Sequence, residues 1–146
     1  MRQICIPKQF PNSKAEPFFV TSPKTPLYNC IAWAFGDNTR WYWPDPRHIY
    51  FWPEDVPREI SIKSFIALFG LIGYEICNNG DFEKGFAKVA IFVDTNNKPT
   101  HAARQLSSGF WTSKLGQYID VQHSISSIEG GDYGNVGVYM KKAQKP

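Results

Sequence analysis

The chain predicts an α+β fold, with two helices followed by an antiparallel run of strands. Three observations carry that reading. A short apolar segment begins after Asn29, an apolar stripe at helical spacing runs over 61–69, and beyond Gly73 the apolar residues fall into short runs divided by turns.

The first 26 residues hold five prolines, Pro7, Pro11, Pro17, Pro23 and Pro26. Each fixes φ and lacks a donor, so 1–26 reads as an extended arm with a short strand near 4–6. The remainder, 27–146, reads as one domain. Asn29 is placed as an N-cap for CIAWAF, and Gly36 as its stop, predicting a helix over 30–35 with Cys30 in its first turn. Residues 37–58 then carry Pro44, Pro46, Pro53 and Pro57 among Trp41, Tyr42, Trp43, Tyr50 and Trp52. A loop of that length inside a domain is more often functional than connective.

In SIKSFIALF the residues Ile62, Phe65, Ile66 and Phe69 share one helical face, and Gly70 and Gly73 end the helix. Strands are expected at 74–77, 88–93, 100–106, 110–114 and 135–140. Asn96-Asn97-Lys98 and Ser107-Ser108-Gly109 supply hairpin turns. A sheet of about four or five strands follows.

Composition narrows the function. With 146 residues the chain has room for one ordinary core, and 42% hydrophobic against 20% charged residues is a globular balance. Eleven Pro, eleven Gly and 16% aromatic content speak for loops and against a helical bundle. The net charge is +3, with Lys141, Lys142 and Lys145 near the end, which is too little for a nucleic-acid binder working by phosphate neutralisation. The apolar run 65–74 is far shorter than the roughly 18 residues of a membrane span. The opening MRQICIPKQF has no apolar signal core, so the expected compartment is the cytoplasm. Cys5, Cys30 and Cys77 are odd in number and widely spaced, which fits neither a disulfide framework nor a zinc site. No metal or other cofactor is expected. The oligomeric state is left open.

The residues that point to chemistry are Cys30 and His101. A thiol in the first turn of a helix lies near unpaired backbone N–H groups, which favour a thiolate and can stabilise an oxyanion. A histidine opening a later strand can take the thiol proton. A catalytic Cys30 is then expected to be alkylated faster than Cys5 or Cys77. The alternative for each is structural, Cys30 as a small buried hydrophobe and His101 as a hydrogen-bonded core residue.

The segments YNCIAWAFGD, WYWP, THAARQL and GFWTSKLG resemble a family of small bacterial domains of unknown function. More distantly, the order of elements with Cys30 and His101 resembles the papain-like cysteine hydrolases of the NlpC type. That resemblance implies a Cys-bearing helix packed on an antiparallel sheet, and a thiol hydrolase or acyl transferase acting on a peptide or other amide. It also implies a third polar residue on the strand after that of the histidine. Thr112, Ser113 and Lys114 are available there; Ser113 has the right parity if Trp111 faces inward. Gln105 shares the parity of His101, and Asp120 and His123 are further alternatives.

Other residues stand with two readings each. Asn29 is an oxyanion donor or only the cap, and Tyr28 a hydroxyl donor or core. Trp41, Trp43 and Trp52 form a platform for a ligand or protein partner, or cover the core. Arg104 is expected in a surface ion pair, Lys114 at a solvated strand end, and His48 and His123 at the surface. A non-catalytic binding or interaction module using loop 41–52 is the competing function.

Overall fold

The computed structural model describes residues 2–144, so Lys145 lies outside the described residues. In chain order the strands are β1 (Gln3–Ile4), β2 (Phe18–Ser22), β3 (Glu75–Cys77), β4 (Phe86–Val93), β5 (Pro99–Gln105), β6 (Trp111–Lys114), β7 (Asp120–His123) and β8 (Asn135–Ala143). The helices are α1 (Cys30–Phe35), α2 (Ile62–Gly70) and α3 (Ile125–Ile128), with one 3-10 turn at Pro11–Lys14. All eight strands join one sheet in the order β1-β2-β7-β6-β5-β4-β8-β3, and every neighbouring pair is antiparallel.

This overturns the expected papain-like α+β fold. The protein is mostly an eight-stranded antiparallel sheet with a few short helices. The arm over 1–26 supplies β1 and β2, and β2 pairs with β7. Pro17 and Pro23 flank β2 without interrupting it, so its ladder donors survive. β7 was hidden because its ends, Asp120 and His123, are polar and yet buried.

Local chemistry explains the helices. Asn29 Oδ1 accepts from the Ala32 amide, and Gly36 ends α1 at φ 100°, a left-handed position that a side chain would strain. Ser61 caps α2 in the same way by accepting from Ser64 N. Both helices lie on one face of the sheet. There Ile31, Phe65, Leu68 and Phe69 pack with Val89, Ile91, Ala102 and Met140 into one core. On the other face Phe10, Phe18 and Ile128 pack with Ala90, Phe92, Ala103, Trp111 and Val121 into a second. Alternation along each strand thus feeds two cores, and the central strands are buried on both sides.

Among the described residues, no helix is long and apolar enough to cross a membrane.

Candidate active site

Cys30 starts α1 and belongs to the core on the helix face, where its side chain is nearly enclosed at 7% exposure. His101 lies on β5 and is fully buried. Its register partner is Phe92, and the two rings meet edge to face at 5.3 Å. The imidazole therefore faces the second core. Tyr133 stacks on it in parallel, 3.9 Å between centroids.

His101 Nε2 lies 2.9 Å from Ser113 Oγ, and Ser113 Oγ lies 2.7 Å from His123 Nε2. His123 Nδ1 is 2.7 Å from the carbonyl oxygen of Ser124. A carbonyl can only accept, so that nitrogen carries the proton of His123. Burial lowers the pKa of His123 to about 4, against the opposing bond to Ser124, so the ring is neutral and Nε2 is bare. Nε2 then accepts the Ser113 hydroxyl proton. Ser113 has no second proton, so His101 Nε2–H donates to it. Burial, and then the neighbouring His123, hold His101 well below its ordinary pKa and keep it neutral too. Its Nδ1 is left with a lone pair, and that buried nitrogen has no hydrogen-bond partner.

The thiol is also neutral at rest. Burial pushes Cys30 up to about 11, although the amides of Ala102, Ile31 and Cys30 itself and the charge of Lys114 all favour the thiolate. This corrects the expectation of an ionised cysteine, because desolvation outweighs the amides. No hydrogen bond joins Cys30 to His101 among the described residues. They are linked at one remove. The Ala102 amide, next to His101 in sequence, favours the Cys30 thiolate, and Tyr133 stacks on the His101 ring. Burial, reinforced by Asp132 and by Cys30 when it is ionised, pushes the Tyr133 phenol well above its usual range.

Charged groups close the Cys30 side. Lys114 and Asp120 are register partners on β6 and β7, and both are completely buried. Tyr28 donates its hydroxyl to Asp120 Oδ2 at 2.7 Å. Burial, reinforced by Asp120, pushes the Tyr28 pKa up to about 12. The Lys114 ammonium lies 5.2 Å from the Tyr28 ring centroid and donates to the Tyr118 carbonyl. Lys114 is therefore no solvated strand end.

Of the residues chosen from sequence, the structure brings His101 and Ser113 together with His123, one of the alternatives for the third polar residue, and buries His123 where a surface position is expected. Gln105 does not join them; its amide donates to the Gly80 carbonyl at 2.8 Å. Asn29 is occupied at both ends: its Oδ1 accepts from the Ala32 amide and from the Tyr42 amide at 3.0 Å, and its Nδ2 donates to the Tyr42 carbonyl at 2.6 Å. Trp43 and Trp52 pack on Phe65 at 5.7 and 5.3 Å and so cover the helix-side core. Trp41 lies 5.7 Å from the partly exposed Tyr50. Arg104 has no carboxylate partner among the described residues. Sequence reasoning missed Tyr133 altogether, and its one signal was the neighbouring glycines that bend the chain back onto β5.

No curated protein and no solved structure matches the chain. A family model for a domain of unknown function, DUF7689, matches residues 19–141, from within β2 to within β8. The expected kinship with an uncharacterised domain family is thereby met at that level, and the chain belongs to DUF7689.

Proposed function

We propose that this domain is a thiol hydrolase or acyl transferase acting on an amide bond, with Cys30 as nucleophile and His101 as general base. The observation that supports it is the bare Nδ1 of His101. The chain His123–Ser113–His101 fixes one tautomer and leaves the basic nitrogen as its unpartnered end. An imidazole held by a third polar group is the arrangement that nucleophilic catalysis needs.

The chemistry begins from a neutral pair. The sulfur and Nδ1 rest in cores on opposite faces of the sheet, so the scheme requires substrate engagement to bring them within reach. Nδ1 takes the thiol proton as sulfur attacks the carbonyl carbon. The C–N bond then breaks, and the imidazolium returns the proton to the leaving nitrogen. Water, activated by the same nitrogen, or a second amine releases the acyl group from the thioester. The amides of Ala102 and Ile31 hold negative charge near the sulfur during attack. No cofactor takes part in this scheme, and the substrate is a peptide or other amide.

Acyl p-nitroanilides incubated with the protein test this. Expected are nitroaniline release and an acyl mass on the Cys30 peptide, both abolished in Cys30→Ala. Release that persists unchanged in Cys30→Ala would refute the assignment.

A second reading rests on a different observation, the enclosure of both the thiol and the imidazole. In it the polar array is structural and the domain is a non-catalytic interaction module. The absence of any Cys30 adduct with the acyl p-nitroanilides would favour it.

A further inference from the structure

At the far end of α1 from Cys30 lies a pocket of about 500 Å³. Its walls are aromatic (Phe35, Tyr74, Phe82 and Phe86), and two cations, Arg104 and Lys142, line it without any Asp or Glu beside them. The placement follows from register. Arg104 on β5 pairs with Val89 on β4, and Lys142 on β8 pairs with Ala87 on the same β4. Val89 and Ala87 share a face, so both cations project from the helix side of three adjacent strands.

Each cation is held by an aromatic ring and by no counter-ion. The Arg104 guanidinium lies 5.3 Å from the Trp33 ring centroid, and the Lys142 ammonium 4.8 Å from that of Tyr74. The four ion pairs among the described residues engage Arg40, Arg58, Lys88 and Lys141 instead. Glu83 alone serves both Lys88 and Lys141, so carboxylates sit beside the other cations of this sheet edge and not beside these two. In addition, Arg104 Nε is buried with no acceptor. A buried donor of a charged group without an acceptor is costly, and the protein itself supplies Arg104 with no oxygen partner at that nitrogen.

We propose that this pocket binds a small phosphate monoester carried on a flat apolar body. Arg104 provides the planar donor set suited to phosphate, and Lys142 adds the second charge that a dianion calls for. The four aromatic walls flank the body. The site is independent of the reaction assigned to Cys30.

Phenyl phosphate titrated into uniformly ¹⁵N-labelled protein at low salt tests the assignment, with inorganic phosphate and benzoate as parallel probes. Expected are saturable shifts of the Gly36, Gly85 and Leu106 amides, weakened about tenfold or more in Lys142→Met and in Arg104→Met. Phenyl phosphate should bind more tightly than either other probe. Lys142→Met carries the test if Arg104→Met fails to fold, since Lys142 lies toward the sheet edge. No saturable shift, shifts mapping elsewhere, or equal affinity in Lys142→Met would overturn the proposal. Benzoate binding as tightly as phenyl phosphate would overturn the dianion assignment, and inorganic phosphate doing so would overturn the apolar half.

Discussion

Ser113 Oγ lies 2.9 Å from His101 Nε2 on the neighbouring strand, and this bond determines which nitrogen of His101 is basic. The same hydroxyl donates to His123 Nε2. One small residue thus partners the Nε2 atoms of two buried rings.

Replacing it should be expensive. Ser113→Ala leaves a donor on His101 and an acceptor on His123 buried without partners, at about 1–3 kcal/mol for each unsatisfied group. The melting temperature should fall by about 2–4 °C per kcal/mol for a chain of this size. Calorimetry reads the loss. If Cys30 and His101 turn over amides, the rate should fall by about 10²-fold as the base loses its orientation. An unaltered melting temperature would mean that the hydroxyl bridges nothing.

Stability should fall as the pH drops below 6.5. His101 and His123 both have folded pKa values below 6.5, the latter at about 4, chiefly through burial. Between those values and 6.5 the unfolded chain binds more protons, so their contribution is complete above pH 6.5 and is lost as pH falls. Each histidine gives a slope of about 1.4 kcal/mol per pH unit in that window. Urea midpoints at pH 7, 6 and 5 should decrease in sequence, and His123→Gln should flatten the trend. Equal midpoints at all three would show that the rings are protonated in the fold or free of it.

The thiols should react in an order set by burial. Cys5 is exposed and Cys77 half-buried, whereas Cys30 is enclosed and pushed up to about 11. Iodoacetamide at pH 8 should modify Cys5 first and Cys30 last, because the thiolate is the reacting species. This reverses the order expected from sequence. Peptide mapping over time measures it, and early labelling of Cys30 would mean that the thiol is ionised or the site open in solution.

The residues show why some of this was legible and some was not. Asn29 and Gly36 delimit α1 because capping and left-handed backbone are local demands. The pairing of Ser113 with His101 was visible in strand parity, since Trp111 and Ser113 do face one side. Burial of Lys114, Asp120 and His123 was not, because a charge or ring is drawn inside only by partners far away in sequence. Tyr28 and Asp120, for instance, are brought together by the sheet. The fold was misread for a related reason. β2 and β7 pair with each other, and neither is amphipathic enough to be seen alone.

Gly134 should not tolerate a side chain. Its φ is +71°, and an added Cβ would run into the carbonyl of Val93. The turn it makes presents Tyr133 to His101, and Thr100 Oγ1 donates to the Tyr133 carbonyl at 2.6 Å. Gly134→Ala should cost at least about 1 kcal/mol from the backbone strain alone. It should also perturb the His101 ring resonances, through movement of the stacked phenol, which NMR of the imidazole protons can follow. Intact resonances and stability would place the strain elsewhere.

Lys114 and Asp120 should behave as a coupled pair. They face each other across β6 and β7, both fully buried, and the Asp120 charge supports the protonated lysine against the burial that lowers its pKa. The two make no direct ion pair among the described residues, so removing one charge withdraws Coulombic support from the other in the interior. Removing both leaves no buried charge at that position. Lys114→Met and Asp120→Asn should therefore each destabilise, while the double variant recovers much of the loss. Urea denaturation of all four proteins closes the cycle. Tyr28→Phe adds an internal control. Its hydroxyl bonds Asp120 Oδ2, so the substitution should destabilise the parent and have a smaller effect once Asp120 is Asn. Strictly additive losses would show that the two charges are shielded from each other despite their register.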